Sequence, residues 1–308
     1  RLFAEALEKY PNSPLRPDLL FGNAVSAFVL EDYQTVVGLL VPFVSEFGEN
    51  PNLENAHYFL AYSYLRQTSF QEAADWFGRL AEGYPQSDVA AECLFQRGES
   101  FFNMQNYAEA AVAYERILAT YPESEFADDA MYNQGWCYFE MERVDEALQR
   151  FGKLLSRFPS SSYAPSAQFT LADYAFNEKD YDSAGAGYQA VIERYADSDL
   201  AAEARELLVE LEEIRAYLRY EEAMALFDAE DYVKAAAALE QVTSAYPDTD
   251  TRAGALANLA MSYEFLHQWK DAARVYGELV DGYGEKPEGA GAVAFAREHL
   301  VWITTNRL

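Results

Sequence analysis

The side chains able to do chemistry are few in this chain, and their spacing argues against most of the chemistry they could do. His57, His267 and His299 are its only imidazoles, and they share no local motif. The zinc-peptidase helix with two histidines around a glutamate is absent, as are a glycine-rich phosphate loop and a calcium loop of alternating acids. Cys93 and Cys137 each fall in a helical stretch. Two thiols make neither a metal cluster nor a disulfide framework, so they read as small buried hydrophobes. The adjacent acids Asp128 and Asp129, and likewise Glu212 and Glu213, offer carboxylates for acid–base work. Neighbours in a helix point to different sides, so both pairs read as solvated surface. Asp248, Thr249 and Asp250 gather oxygens loosely, but a turn with a helix cap explains them. The expectation is no catalytic residue, no metal and no cofactor.

The charge balance excludes another class. The chain has 51 acids against 23 bases, a formal charge of −28 over 308 residues. Binding to nucleic acid requires a basic patch that neutralises phosphates, and none is visible; DNA, RNA and anionic lipid are poor partners for this chain. Half of the residues are apolar, enough for a continuous core. No apolar run approaches the roughly 18 residues that suggest a membrane span, so no direct membrane insertion is expected in this segment.

What positions the remaining candidates is a repeat. An aromatic residue, usually followed by proline, recurs at Tyr10, Phe47, Tyr84, Tyr121, Phe158 and Tyr195, each 37 residues after the last. It returns at Tyr246 after 51 residues and at Tyr283 after 37. Three residues into each block stands Ser13, Asn50, Ser87, Ser124, Ser161, Ser198 or Thr249, read as a helix N-cap whose oxygen accepts an orphan backbone N–H. A small residue follows at Ala24, Ala61, Gly98, Gly135, Ala172, Ala223 and Ala260. A bulky residue then opens a second helix at Tyr33, Phe70, Tyr107, Val144, Tyr181, Tyr232 and Trp269. Small residues such as Ala110 and Ala147 are followed four positions later by large ones such as Tyr114 and Phe151. Small against large at helical spacing is what close helix–helix packing needs.

These columns resemble the tetratricopeptide-repeat family, with Gly98, Ala110, Tyr114 and Pro122, or Gly135, Ala147, Phe151 and Pro159, at the signature positions. The usual unit has about 34 residues, and the longer Tyr-Pro-x-Ser turn resembles a bacterial cell-envelope subgroup. That subgroup includes the Tol-Pal periplasmic coordinator and the repeat lipoprotein of outer-membrane barrel assembly. The resemblance implies an all-α fold, a right-handed α-solenoid of antiparallel helix pairs. It also implies a concave groove lined by first helices, with Phe21, Tyr58, Tyr62, Phe95, Glu99, Tyr132, Trp136, Phe169, Asp173 and Tyr220 facing a protein or peptide partner. The strongest patch is expected at Tyr58, Tyr62, Tyr132 and Trp136 beside Glu99, for an apolar or mildly basic peptide or helix. A clamp for a C-terminal carboxylate is not expected, because the groove positions are mainly aromatic or acidic and Arg66 is a rare exception.

The blocks divide the chain into residues 1–9, the second helix of a preceding repeat; 10–194, repeats 1–5; 195–245, repeat 6; 246–282, repeat 7; and 283–308, a capping helix. Repeat 6 carries 14 extra residues and no Gly or Pro from Asp199 to Glu230, so its first helix should run to about 30 residues, roughly 45 Å. Its apolar stripe includes Leu207, Leu211, Ile214 and Leu218. This stripe either packs on the array or offers a second interface, including one to a second copy of the chain. Gly185 and Gly187, inside a helix, suggest close helix approach or a bend. The segment opens on Arg1-Leu2-Phe3 within a helical pattern and reads as a piece of a longer polypeptide. The functional expectation is a non-enzymatic scaffold in the bacterial periplasm or envelope. The alternatives are a cytoplasmic location, an accessory domain of a larger enzyme or sensor, and a structural protein that self-associates through the long helix.

Overall fold

A computed structural model describes residues 2–308, the side chain of Glu288 excepted. Its regular structure is helical throughout, with no strand among the described residues. Two compact units, Arg1–Gln168 and Phe169–Leu308, divide the chain. Each is an α-solenoid in which consecutive helices pack on one another across short turns.

Unit 1 begins with α1 (Leu2–Lys9). Helix pairs follow: α2 (Arg16–Val29) with α3 (Tyr33–Glu46), α4 (Leu53–Arg66) with α5 (Phe70–Gly83), α6 (Ala90–Asn103) with α7 (Tyr107–Thr120), and α8 (Ala127–Glu140) with α9 (Val144–Arg157). The boundary between the units falls within α10 (Ala164–Asn177). Unit 2 continues with α11 (Tyr181–Arg194), α12 (Leu200–Asp228), α13 (Tyr232–Ala245), α14 (Thr251–Phe265), α15 (Trp269–Tyr283) and α16 (Ala290–Asn306). The bulky residues read as openers of second helices are the first residues of α3, α5, α7, α9, α11, α13 and α15.

The turn inside each pair is uniform. The first helix of the pair ends in a left-handed residue: Glu31, Thr68, Gln105, Glu142, Lys179, Glu230 or His267, with φ between 57° and 62°. In the first pair Asp32 N–H bonds Ala27 C=O at 2.9 Å and Glu31 N–H bonds Phe28 C=O at 2.9 Å. This six-to-one closure satisfies carbonyls that a helix end leaves orphaned.

The turn between pairs corrects the capping expectation. The Ser87 side chain accepts from Val89 N–H at 3.3 Å, while Ala90 N–H bonds the Ser87 backbone carbonyl at 3.1 Å. Ser13, Asn50, Ser124, Ser161 and Ser198 accept in the same way from the amide two residues on. These side chains shape the turn that delivers the chain to the helix. Thr249 instead donates to Tyr246 C=O at 3.0 Å. The start of α14 is capped from elsewhere: Glu213 of α12 accepts Asp250 N–H at 2.7 Å and Thr251 N–H at 3.0 Å. Glu213 is therefore a helix cap, not the solvated acid the sequence suggests.

Small residues let the pairs close. Tyr114 and Phe151 are fully buried, and a Cβ added at Gly98 would stand 2.5 Å from the Tyr114 ring. In unit 2, a Cβ at Gly187 would meet Ala172 Cβ at 2.7 Å. That is a close approach of two backbones, and overfilling such a contact typically costs about 1–3 kcal/mol.

The long helix α12 has 29 residues, and its stripe is largely spent inside unit 2. Leu211 is fully buried beside Gly185, and Leu207 packs on the same core with Tyr188 and Val191. Arg215 fastens the helix to α11 through Asp182 at 2.6 Å. Ile214 is half-buried, and only Leu218, 44% exposed, faces solvent openly. Of the stripe at Leu207, Leu211, Ile214 and Leu218, the first two are thus spent on contact with α11, and the long helix also reaches α14, while Leu218 beside Tyr217 stays exposed.

Candidate functional site

In unit 1 the first helices α4, α6 and α8 are joined by side chains that reach from one repeat to the next. Tyr58 and Tyr62 of α4 lie with ring centroids 4.7 Å apart. Both donate their hydroxyls to Glu92 in the first turn of α6, Tyr58 at 3.2 Å. One helical turn pair further along α6, Glu99 accepts from Tyr114 of α7 at 2.5 Å and from Asn133 Nδ2 of α8 at 3.0 Å. Asp129 of α8 accepts from Tyr163 at 2.7 Å. Tyr163 in turn stacks on Tyr132 at 4.5 Å, and Trp136 sits edge-on to Phe151.

These acids and phenols are electrostatically matched. Burial and the Glu92 carboxylate push the Tyr62 phenol far above its ordinary range. Tyr114 is raised in the same way by burial and Glu99. The hydrogen bond to Asp129, helped by burial, pushes Tyr163 up to about 12. Tyr62, Tyr114 and Tyr163 therefore stay protonated and donating near neutral pH.

The candidates named from the sequence separate into three groups. Tyr58, Tyr62, Glu99, Tyr132 and Trp136 are half-buried on the first helices α4, α6 and α8 of unit 1. Phe21 and Phe95 act mainly as packing: Phe21 lies between Phe43 and Phe59, and Phe95 between Tyr114 and Phe126. The remaining three belong to unit 2. Phe169 is buried against Tyr188 with only 8% of its surface exposed, which corrects its expected place on a binding surface. Asp173 accepts from Tyr188 at 2.6 Å, and Tyr220 accepts from Asn258 Nδ2 at 2.7 Å. Beside Tyr58 a depression of about 460 Å³ is lined by Glu54, Asn55, Phe59 and the turn residues Gln86 to Val89.

Glu92, Asp129, Asn133 and Tyr163 are the members that reading the sequence missed. Their signal is a donor and an acceptor 34 residues apart: Tyr58 with Glu92, Glu99 with Asn133, Asp129 with Tyr163. No group of three or more His, Cys, Asp or Glu suited to a metal ion occurs among the described residues. Cys93 and Cys137 are buried, and burial pushes each thiol up to about 12, so neither is poised as a nucleophile.

Three family models match. One described as an outer membrane lipoprotein, YfiO, covers residues 54–175; a tetratricopeptide repeat-like domain covers 127–225; and a tetratricopeptide repeat covers 217–249. No curated protein matches in sequence. Among solved structures, a tetratricopeptide repeat protein from Parabacteroides merdae is 17% identical, with 91% of this chain and 98% of that one covered and a TM-score of 0.46. The apo form of RapI is 14% identical, covering 95% and 97%, with a TM-score of 0.45. MamA from Desulfovibrio magneticus is 15% identical, covering 59% and 97%, with a TM-score of 0.44.

Proposed function

The chain belongs to the tetratricopeptide-repeat family, and from that premise we propose that it is a non-catalytic scaffold that holds a peptide or helix of a protein partner against the first-helix face of unit 1. The observation that carries this reading is two pairs of half-buried aromatic side chains, Tyr58 with Tyr62 on α4 and Tyr132 with Trp136 on α8, at matching positions of first helices in unit 1. Rigid aromatic side chains bury much area at little entropic cost, which is why they dominate binding hot spots. Hydrogen bonds and ring contacts already hold these four in place, so binding orders little that is not ordered. The match of residues 54–175 to a family of outer membrane lipoproteins supports a place in a bacterial envelope complex. No helix among the described residues is long and apolar enough to cross a membrane.

Site-specific photo-crosslinking in cells tests the proposal. A benzophenone side chain at Trp136 is expected to trap a protein partner. The same group at Val112, 63% exposed on the second helix α7, is expected to trap none. Tyr132→Ala with Trp136→Ala should abolish crosslinking from a benzophenone at Tyr58 while the helical circular dichroism is unchanged. Capture from Val112 alone would refute the site.

A further inference from the structure

Charge in unit 1 is sorted by helix. Among the described residues, Glu46, Glu82, Glu115, Glu123 and Glu146, on second helices or in a turn, are each paired with an arginine. Glu92, Glu99 and Asp129 on the first helices meet only neutral donors: phenols and one carboxamide. No lysine or arginine pairs with these three among the described residues. The sequences of α4, α6 and α8 contain only two cations. Arg97 is turned towards Glu82 of the preceding second helix at 3.3 Å, and Arg66 is exposed at the last position of α4.

A hydroxyl donor fixes a carboxylate in place without cancelling its charge. The acids are therefore held among aromatic rings with no cation opposite them. Aromatic faces attract cations through the ring quadrupole, and carboxylates attract them by charge, so both components of this surface favour the same ligand. An anionic or carboxylate-terminated segment would meet like charge with no compensating base. The depression beside Tyr58 adds Glu54 and Asp88 to the same rim.

We propose that the segment held on this face is cationic: a stretch of partner protein presenting lysine or arginine side chains to Glu92, Glu99 and Asp129, with its apolar side chains on Tyr58, Tyr62, Tyr132 and Trp136. This rests on the binding-surface reading above and names the chemistry of its ligand.

Three fluorescein-labelled twelve-residue probes, alternating Leu with Lys, Gln or Glu, separate the possibilities. Their binding to the whole chain is followed by fluorescence anisotropy. The Lys probe is expected to bind about tenfold or more tighter than the Gln probe, to weaken as NaCl rises from about 50 to about 300 mM, and to outbind the Glu probe further. The isosteric variant Glu92→Gln, Glu99→Gln, Asp129→Asn keeps an acceptor for each hydroxyl and should lose about tenfold in Lys-probe affinity. The control Asp75→Asn, Glu109→Gln, Asp145→Asn removes the same charge from exposed positions on α5, α7 and α9 and should lose little. Circular dichroism melts establish that both variants fold.

Equal loss in both variants would mean attraction to bulk charge and would overturn the inference. So would a Lys probe that fails to bind. Equal binding of the Lys and Gln probes, with both lost in Tyr132→Ala, Trp136→Ala, would overturn the cationic preference and leave the surface standing. Binding indifferent to Tyr132 and Trp136 would remove the surface and the inference together.

Discussion

Tyr114, Tyr188 and Tyr276 occupy the same position in three repeats, but only two of their hydroxyls meet an acid in good geometry. Tyr114 donates to Glu99 and Tyr188 to Asp173. In the third repeat Met261 stands where the acid would be, and the buried Tyr276 hydroxyl lies near Glu264 without a well-formed hydrogen bond. A hydrogen bond to a charged group contributes about 1.5–3 kcal/mol, whereas deleting an unsatisfied buried hydroxyl costs little. Tyr114→Phe should therefore destabilise unit 1 by about 1.5–3 kcal/mol, and Tyr276→Phe should stay within about 0.5 kcal/mol of wild type in urea denaturation. Comparable losses for both would mean that the phenol–acid pairs are ornamental. This scale was also the least legible in the sequence. Asp129 reads as one of two neighbouring surface acids, and nothing local reveals that its partner is Tyr163, one repeat away. Tyr132 was legible from its column of aromatic residues; Phe169 shares that column and is buried, since a column position says nothing about how tightly each neighbour closes over it.

At the scale of elements, seven turns use a left-handed residue, and none of the seven is glycine. A side chain in that conformation costs roughly 1–2 kcal/mol, and a β-branched one is the least tolerant. The six-to-one hydrogen bond and the packing of the next helix hold these residues there. Thr68→Gly relieves the steric cost, offset in part by the greater freedom glycine gives the unfolded chain. It should stabilise the protein by about 0.5–1 kcal/mol, read as a rise in the urea midpoint, with Gln105→Gly gaining less. A fall in the midpoint for Thr68→Gly would show that its side chain is needed in the turn. The period of 37 made the helix openers readable, because every repeat must present a bulky residue where the second helix begins. The left-handed caps were not readable, because the usual mark of such a cap is glycine and here the fold imposes the conformation on Glu, Thr, Gln, Lys and His. The long helix was legible from its uninterrupted composition, but its destination was not. Whether an apolar stripe meets a partner or its own neighbour depends on gaps such as Gly185, whose value appears only once Leu211 fills it.

For the whole molecule the governing quantity is a net charge of −28. The ion pairs that offset it lie at partly exposed arginines, such as Arg116 with Glu82 at 3.0 Å and Arg150 with Glu115 at 2.7 Å. Exposed pairs of this kind contribute little each, typically about 0–1 kcal/mol. Salt acts on both: it weakens the pairs and screens the repulsion among the unpaired acids. Acids outnumber bases by 51 to 23, so most carboxylates have no cation, and the repulsive sum is the larger. A compact state under strong self-repulsion gains from screening, which cuts interactions about e-fold for each Debye length of about 8 Å at physiological ionic strength. Raising NaCl from about 10 to about 150 mM should therefore raise the apparent melting temperature by roughly 1.5–3 °C, the shift that about 1–2 kcal/mol of screening gives at about 2.1 cal/mol/K per residue. The reading is a circular dichroism melt at pH 7 in which only salt varies. Glu92→Gln, Glu99→Gln, Asp129→Asn should shrink that rise, because it removes three acids with no opposing cation. A melting temperature that falls with salt would mean that the arginine pairs, and not the unpaired acids, dominate the electrostatics of the fold.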